Sequence, residues 1–371
     1  MDVKIRPYAE SMIPATKAFN GRLREAGVGR QFPERHVSDE LPKREGSSVY
    51  QEYYLAVDGN DVRGGYVLKH QLFCFQGETV PGAFCRLPIS EAVIDDTYDP
   101  VDSQVVQDAQ NKRSVLVTTG VGEFEGPYAR LLRSLGWGLY PVPFLFKIRR
   151  PFRCLRGFVS LRRSAARRVA LDAAAFSGLG WLGHELMQRS VRRPPPAAET
   201  TAWDEVPGFG DWADELWQDC RTAYAMVAVR DTDVLTALYP EKTERFRRLR
   251  VTDEGRVIGW AVVLDTTVSG HEHYGELRVG TIADCLARPE KAHQVVHAAT
   301  GYLEQRGVDL IVSNQSHAAW CVGLRACGYM RGPTNFVMAA SPDVVTLLEP
   351  FERRVGSVHV NRGDGDGPLQ P

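Results

Sequence analysis

The second half of the sequence contains a short stretch whose residues can do chemistry. Asp284 lies among apolar residues in the segment TIADCLA, where burial would raise the pKa of a carboxylate and suit it to act as a general base. A cap for the following helix is the plainer role for this aspartate. Cys285 beside it could be a nucleophile, although we expect a small buried filler. Arg288 and Lys291 flank the start of a predicted helix and offer positive charge to an anion.

Other residues that could bind a metal or a phosphate lack the further ligands or motif residues that such sites need. His271 and His273 lie in the Gly-rich turn SGHEHYGE without further ligands, so we expect a solvated loop and no metal. The GVG at 120–122 follows a strand but has no further phosphate-binding motif, and a hinge is expected there. The seven cysteines form no CxxC pair, which is typical of a reducing compartment.

Composition limits the classes of protein to consider. The chain has 371 residues, of which 43% are hydrophobic, and its net charge is −1. This length suits two domains, and this composition excludes wholesale disorder. A near-neutral charge argues against a chain-wide grip on nucleic acid. We find no apolar run long enough to span a bilayer and no leader at the start, so a cytoplasmic protein is expected.

The sequence also repeats itself at an offset of 190 to 194 residues. Three pairs of segments match in the same order: LAVDGNDVRGGYVL (55–68) with LRVTDEGRVIGWAVV (249–263), QVVQDAQ (104–110) with QVVHAAT (294–300), and YARLLRSLGWGLYPVPFLF (128–146) with WCVGLRACGYMRGPTNFVM (320–338). Order and spacing together predict a duplicated domain. Chance likeness between amphipathic segments is the alternative.

Each half shows the same predicted order of elements: strand, helix, meander, strand, helix, strand, helix, strand. In the first half VKIRPY opens the series, ISEAVI is a strand before the second helix, and GLYPVPFLFKI is the last strand. In the second half the central strand lies near GELRVGTIADCLA, and NFVMAA is the last. Gly136 and Gly328 close the final helices. The fold class is therefore α/β, with mixed sheets flanked by helices in an α+β manner.

This order, with helices that end LRSLGW and LRACGY, resembles a tandem member of the GNAT superfamily of N-acetyltransferases, whose last helix ends LYxxxGF. The chain is also distantly similar to Fem-type aminoacyl transferases and to polysaccharide-associated acyltransferases. The resemblance implies two GNAT-like domains, the N-half at 1–148 and the C-half at 205–345. A basic helical connector at 149–204 joins them, and a disordered tail at 346–371 follows.

The family usually holds the pyrophosphate of coenzyme A in a (Q/R)xxGx(G/A) loop after its central strand. The corresponding stretches here, IDDTYDPVDS and ADCLARPEKA, contain no glycine. The first is acidic and would repel a pyrophosphate, so the basic C-half stretch is favoured. We therefore expect Cys285, Leu286, Arg288 and Lys291 to cradle the cofactor.

The resemblance also suggests roles for residues around the final helix of each half. Asn314 falls near a position that contacts the cofactor arm in the family, and His317 is expected to have a catalytic role beside Asp284. A helix cap is the alternative for both. The tyrosine that often protonates the leaving thiolate in the family would fall at Leu132 and Leu324. That role is vacant or belongs to another group.

The connector is strongly basic. Residues 147–193 contain 12 Lys and Arg against 2 acids, a charge of +10, with apolar residues interleaved. We expect a helix packed on acidic surfaces of the two domains. An amphipathic helix on an anionic membrane is an alternative, and RNA contact is a weaker one.

These observations predict an acyltransferase that moves an acyl group from acetyl-CoA or another acyl-CoA to an amine. The acceptor would be an amino sugar or another cell-envelope or polysaccharide precursor, and no metal is expected. The alternatives are a non-catalytic accessory protein of envelope polysaccharide assembly and a Fem-like enzyme that uses aminoacyl-tRNA. We expect a cytoplasmic location, with peripheral association at the inner face of the membrane if the connector binds lipid.

Overall fold

The structure is a computed structural model that describes residues 2–35, 41–47, 49–157, 200–271, 275–334 and 336–365. Most of the connector and His273 lie outside these residues. The hypotheses that the connector packs on the domains, binds a membrane or contacts RNA therefore stay predictions.

The described residues form sixteen strands and ten helices. The strands are β1 Val3–Pro7, β2 Tyr50–Asp58, β3 Asp61–Phe75, β4 Glu78–Ser90, β5 Leu116–Thr119, β6 Gly138–Pro141, β7 Phe144–Ile148, β8 Thr201–Val206, β9 Met226–Ala228, β10 Arg247–Asp253, β11 Arg256–His271, β12 Gly275–Ala287, β13 Leu310–Asn314, β14 Met330–Arg331, β15 Val337–Ala340 and β16 Val358–His359. The helices are α1 Ile13–Glu25, α2 Asp99–Lys112, α3 Pro127–Ser134, α4 Pro151–Gly157, α5 Asp211–Cys220, α6 Thr232–Leu238, α7 Ala292–Gln305, α8 Ala318–Ala326, α9 Pro342–Leu347 and α10 Phe351–Arg354.

Two mixed sheets contain these strands, which confirms the predicted fold class. The first sheet has the order β1-β2-β3-β4-β5-β15-β6, with β9 joined to β3 and β16 to β9. The second has the order β14-β7-β13-β12-β11-β10-β8. In each sheet an antiparallel meander leads to a parallel pair, β4 with β5 and β12 with β13, and the first sheet also contains the parallel pair β9 with β16. The helix between the two parallel strands, α2 or α7, packs on its own sheet, as a strand–helix–strand unit requires.

The two halves exchange their last strands. Strand β7 of the N-half pairs with β13 and β14, while β15 of the C-half lies between β5 and β6. We predicted a single last strand over GLYPVPFLFKI, but the chain breaks between β6 and β7 at Pro141 and Pro143. Proline lacks the N–H that a continuous ladder needs, so the strand crosses to the other sheet.

The central strand of the N-half lies earlier in the chain than expected. Strand β4 ends at Ser90, and Glu91–Val93 of the predicted strand ISEAVI forms a 3-10 turn instead. The Ser90 hydroxyl accepts a hydrogen bond from the amide of Ala92 and so caps this turn. In the C-half, β12 covers the predicted central strand.

The predicted disorder of residues 346–371 is wrong for residues 346–365. Helices α9 and α10 lead to β16, which pairs in parallel with β9. Phe351, Val355 and Val358 are buried in one cluster with Met226 and Met338. The Gly- and Asp-rich end of the sequence suggested a solvated tail, but the apolar residues before it anchor the segment to both halves.

The final helices end as the sequence predicted. Gly136 after α3 and Gly328 after α8 have φ of 80° and 84°, in the left-handed region that glycine adopts without strain. In the part of the chain that the structure describes, no helix is both long and apolar enough to cross a membrane.

The helix end at Gly136 makes a testable contribution to stability. We expect Gly136→Ala to lower the free energy of unfolding by about 1–2 kcal/mol, because alanine is strained at positive φ. The matched control is Gly301→Ala inside α7, where no atom lies within 4 Å of the new Cβ. That change should raise stability by up to about 1 kcal/mol. Urea unfolding measures both, and equal effects would contradict the assignment.

Candidate functional site

Each parallel strand pair opens into a fork. The β4–β5 ladder ends at Cys85 and Thr118, although β4 continues to Ser90. We call the diverging residues 86–90 and 119–122 the N-half fork. The β12–β13 ladder ends at Ile282 and Ser313, and residues 283–287 and 314–316 form the C-half fork. A fork of this kind exposes backbone amides and carbonyls that a ligand can use.

The chain's own residues 358–365, the tail segment, fill the C-half fork. On one arm, Gly363 N donates to Ala283 O at 2.6 Å and His359 Nε2 donates to Cys285 O at 2.7 Å. On the other arm, Ser316 N donates to Val360 O at 3.0 Å. The backbone groups that a thioester arm would use there are already occupied.

Asp284, our predicted base, lies at the centre of this filled fork and is fully buried. Its Oδ2 accepts hydrogen bonds from Arg230 Nε at 3.0 Å and from Tyr239 OH at 2.6 Å. Its Oδ1 accepts from Cys285 N at 2.8 Å and from Asn361 Nδ2 at 2.7 Å. Four donors on its two oxygens hold this carboxyl group in place while the tail segment is docked. A role as base therefore requires the tail segment to leave.

The other predicted residues of the C-half line the same filled fork. His317 caps α8, because its Nδ1 accepts from Ala319 N, and burial lowers its pKa to about 4. Burial raises the pKa of the Cys285 thiol well above its usual range, which disfavours a thiolate. Leu286 and Asn314 are buried on the two arms. The structure thus brings these residues together with Asp284, but in a packed interior.

The two predicted cofactor cations lie apart from them, at the surface. Arg288 pairs with Asp219 at 3.0 Å and with Glu290 at 2.8 Å. Lys291 pairs with Asp253 at 3.0 Å. Their positive charge is compensated by carboxylates of the C-half itself, so an anion would have to compete for it.

A buried charge cluster links the tail segment to the N-half. It consists of Lys69, Arg86, Arg230, Asp284 and Asp364, all at most 8% exposed. Arg230 bridges the two carboxylates, with Nη2 at 2.7 Å from Asp364 Oδ1. Burial lowers the pKa of Lys69 to about 7, against the opposing attraction of Asp364. For the acid Asp364 the effect of burial has the opposite direction, and its pKa is raised.

Lys69 lies next to the N-half fork. It is directly opposite Phe84 in the β3–β4 register, one residue before the ladder with β5 ends. Its Nζ is 4.8 Å from the centre of the Phe84 ring. The tail segment reaches the other arm, since a Cβ at Gly365 would lie 2.0 Å from Thr119 Oγ1.

Tyr128 approaches the N-half fork from the opposite face of the sheet. It lies in the first turn of α3, one turn before Leu132 and on the same helix face. It packs against the core beneath α2, as Leu68 does, whereas Lys69 projects from the other face of β3. Burial raises the pKa of Tyr128 well above its usual range, and Cys85 and Asp102 add to this. The phenol therefore stays protonated and able to donate.

Sequence reasoning missed Lys69, Tyr128, Arg230 and Asp364. A signal existed for Lys69, which is a single cation within the apolar strand YVLKHQLFCF. Tyr128 lies in the aligned helix, four residues before Leu132, where the resemblance implied a tyrosine. No local pattern marks Arg230 or Asp364, because their partners are distant in sequence. Among the described residues, no cluster of His, Cys, Asp and Glu is arranged to hold a metal ion.

Comparison with known proteins adds a structural relationship. No protein-family model and no curated protein matches the chain. A GCN5-related N-acetyltransferase from Anabaena variabilis is similar in structure, with a TM-score of 0.54 and 12% identity over 94% of this chain and 75% of that one. A probable N-acyltransferase from Enterococcus faecalis V583 has a TM-score of 0.51 and 9% identity, with the same coverage.

A third similar structure is N-myristoyltransferase from Saccharomyces cerevisiae with bound myristoyl-CoA and inhibitors. Its TM-score is 0.51 at 8% identity, over 91% of this chain and 79% of that one. At such low identity these likenesses establish the fold alone. The chain has the GNAT fold that its sequence resemblance implied. Similarity to Fem-type enzymes stays a prediction.

The docked tail segment predicts a pH-dependent stability. Burial lowers the pKa of His359 to about 4, and its ring stacks against both Tyr224 and Trp320. Because the unfolded chain binds a proton below about pH 6.5, this group destabilises the fold as the pH falls. From about pH 7.5 to about pH 5 the cost is about 2 kcal/mol.

His359→Gln keeps a donor for Cys285 O but cannot become charged. The loss of unfolding free energy between the two pH values should therefore shrink by about 2 kcal/mol in this variant, as measured by urea titration. His297→Gln, on the exposed side of α7, is the matched control and should behave like wild type. An unchanged pH dependence in His359→Gln would contradict the burial of a neutral histidine.

Proposed function

We propose that the protein is an N-acyltransferase that moves an acyl group from an acyl-CoA thioester to an amine at the N-half fork. The observation that carries this proposal is the placement of Lys69 and Tyr128 on opposite faces of the sheet beside that fork. The GNAT fold supports the reaction class. The filled C-half fork favours the N-half as the site.

The proposed reaction uses both groups. Neutral Lys69 takes a proton from the acceptor ammonium, and the free amine attacks the thioester carbon. A C–N bond forms, the C–S bond breaks, and Tyr128 gives its proton to the departing thiolate. The proton lost by the acylated nitrogen restores Tyr128, and Lys69 releases its proton to solvent. Because Lys69 is buried, we propose that the acceptor enters as the Asp364–Gly365 end of the tail segment moves aside.

The finer identity of the acceptor rests on the sequence resemblance. An amino sugar or another cell-envelope precursor carries the primary amine that this chemistry needs. Location at the inner face of a membrane would follow if the connector binds anionic lipid. Residues 149–157 and 200–204 of the connector are described, and there Arg150 pairs with Asp309.

A second site within the same function is the C-half fork, with Asp284 as base, His317 beside it and the cradle of Cys285, Leu286, Arg288, Lys291 and Asn314. It has the cations that the N-half loop lacks, but it requires the tail segment to leave. A second function is that of a non-catalytic accessory protein of envelope polysaccharide assembly. The filled fork and the absence of glycine from both cofactor loops favour it. Use of aminoacyl-tRNA would depend on the connector.

Tyr128→Phe tests the function and its location. We expect acyl transfer from acetyl-CoA to a panel of amines, with kcat reduced about 10²-fold or more in this variant because the leaving thiolate loses its acid. Release of free thiol measures the rate. The paired variant Arg288→Ala with Lys291→Ala should retain kcat/KM. The opposite pattern would place the reaction in the C-half, and no transfer from acetyl-CoA or longer acyl-CoAs would favour the accessory function.

Lys69→Met tests the base. Wild-type kcat/KM should rise with pH through an apparent pKa near 7, because only neutral Lys69 accepts a proton. In the variant, kcat/KM should no longer rise with pH near 7, and the rate should be about 10²-fold lower. Its thermal stability should not fall, since methionine removes a buried charge without leaving a void. Lys112→Met on α2 is the control, and an unchanged pH profile in Lys69→Met would refute the assignment.

A further inference from the structure

The N-half fork is followed by a loop that determines which part of a donor can be recognised. When the thioester arm of a donor lies in such a fork, the diphosphate attached to that arm would lie against the loop and the start of the next helix. Here the loop comprises residues 91–98 between β4 and α2. It forms two 3-10 turns, Glu91–Val93 and Asp96–Tyr98. This inference rests on the proposed function, because it concerns the thioester donor at that fork.

Six backbone amides in and just after this loop donate to acceptors in or next to it. Ala92 N donates to Ser90 Oγ and Thr97 N to Asp95 Oδ1, each at 3.0 Å. The amides of residues 94, 95, 98 and 99 donate to carbonyls of the loop itself. Residue 100 is a proline and has no N–H. A diphosphate would therefore have to compete for these six amides.

The side chains of the loop oppose an anion as well. Five carboxylates lie in it or in the first turn of α2: Glu91, Asp95, Asp96, Asp99 and Asp102. Both Arg22 and Arg63 pair with Glu91. Burial raises the pKa of Asp102, whereas hydrogen bonds from Thr97 lower that of Asp95. The local charge is negative, and coenzyme A carries about four negative charges on its phosphates at neutral pH.

The C-half shows the reverse arrangement. Its loop offers Arg288 and Lys291, but the tail segment fills its fork. The loop with cations therefore belongs to the fork that the tail segment fills, and the N-half fork, which only the Gly365 end of the segment reaches, lacks such a loop. We propose that the N-half fork recognises the neutral acyl-pantetheine arm of its donor and makes no favourable contact with the nucleotide diphosphate.

A comparison of two donors tests this inference. S-acetylpantetheine, which lacks the phosphates, should support transfer with kcat/KM within about threefold of acetyl-CoA. Raising NaCl from about 20 to about 200 mM should increase kcat/KM for acetyl-CoA and leave that for S-acetylpantetheine unchanged, because salt screens only the charged donor. A preference for acetyl-CoA above about thirtyfold would overturn the proposal.

A matched pair of variants separates the loop from general charge effects. Asp95→Asn with Asp96→Asn should raise kcat/KM for acetyl-CoA about three- to tenfold and leave that for S-acetylpantetheine unaltered. Asp343→Asn with Glu349→Gln removes the same charge at exposed positions on and after α9, and should change neither donor. Equal effects of the two pairs would refute the loop's role. Absence of transfer from either donor would refute the proposed function itself.

Discussion

The docking of the tail segment into the C-half fork is the constraint on which the rest of the site depends. Arg230 cannot be buried without both Asp284 and Asp364, because an uncompensated charge in the interior costs several kcal/mol. Asp364 is supplied by a segment 80 residues beyond Asp284 in the chain. The C-half fork is therefore filled only when the tail segment is docked, and the docked tail segment takes its partners from the two arms of that fork. Gly363 allows this approach, since a Cβ there would lie 2.5 Å from Tyr239 OH.

The same docking joins the two halves. Strand β16 extends the first sheet through β9, and the exchanged strands β7 and β15 tie each sheet to the chain of the other half. A unit that shares strands in this way does not separate into two independent domains without breaking backbone ladders. The two forks are thus held in a fixed relation, with the charge cluster between them. Arg230 and Asp364 connect the C-half fork to this cluster.

Most of the fold could be predicted from local patterns, and the exceptions have physical causes. The meanders, the helices closed by Gly136 and Gly328, and the parallel pairs follow from periodicity and turn residues within each half. The exchange of β7 and β15 could not be predicted, because either sheet offers the same ladder to a strand of that sequence. The tail segment was missed for a related reason. Its order comes from partners such as Asp284 and Arg230, which no local composition reveals.

The candidate site shows the same division between local and distant information. Asp284 and Cys285 lie on one arm of the C-half fork, Asn314 lies on the other, and His317 begins the helix after it. Their surroundings change what they can do. Both oxygens of Asp284 are engaged by donors, and His317, which caps a helix, has one nitrogen engaged. Lys69 differs because its charge is opposed by burial and by Arg86 and Arg230 on neighbouring elements. A cation whose charge is opposed by burial, beside a fork that only the end of the tail segment reaches, is better placed for proton transfer than a carboxyl group engaged by four donors.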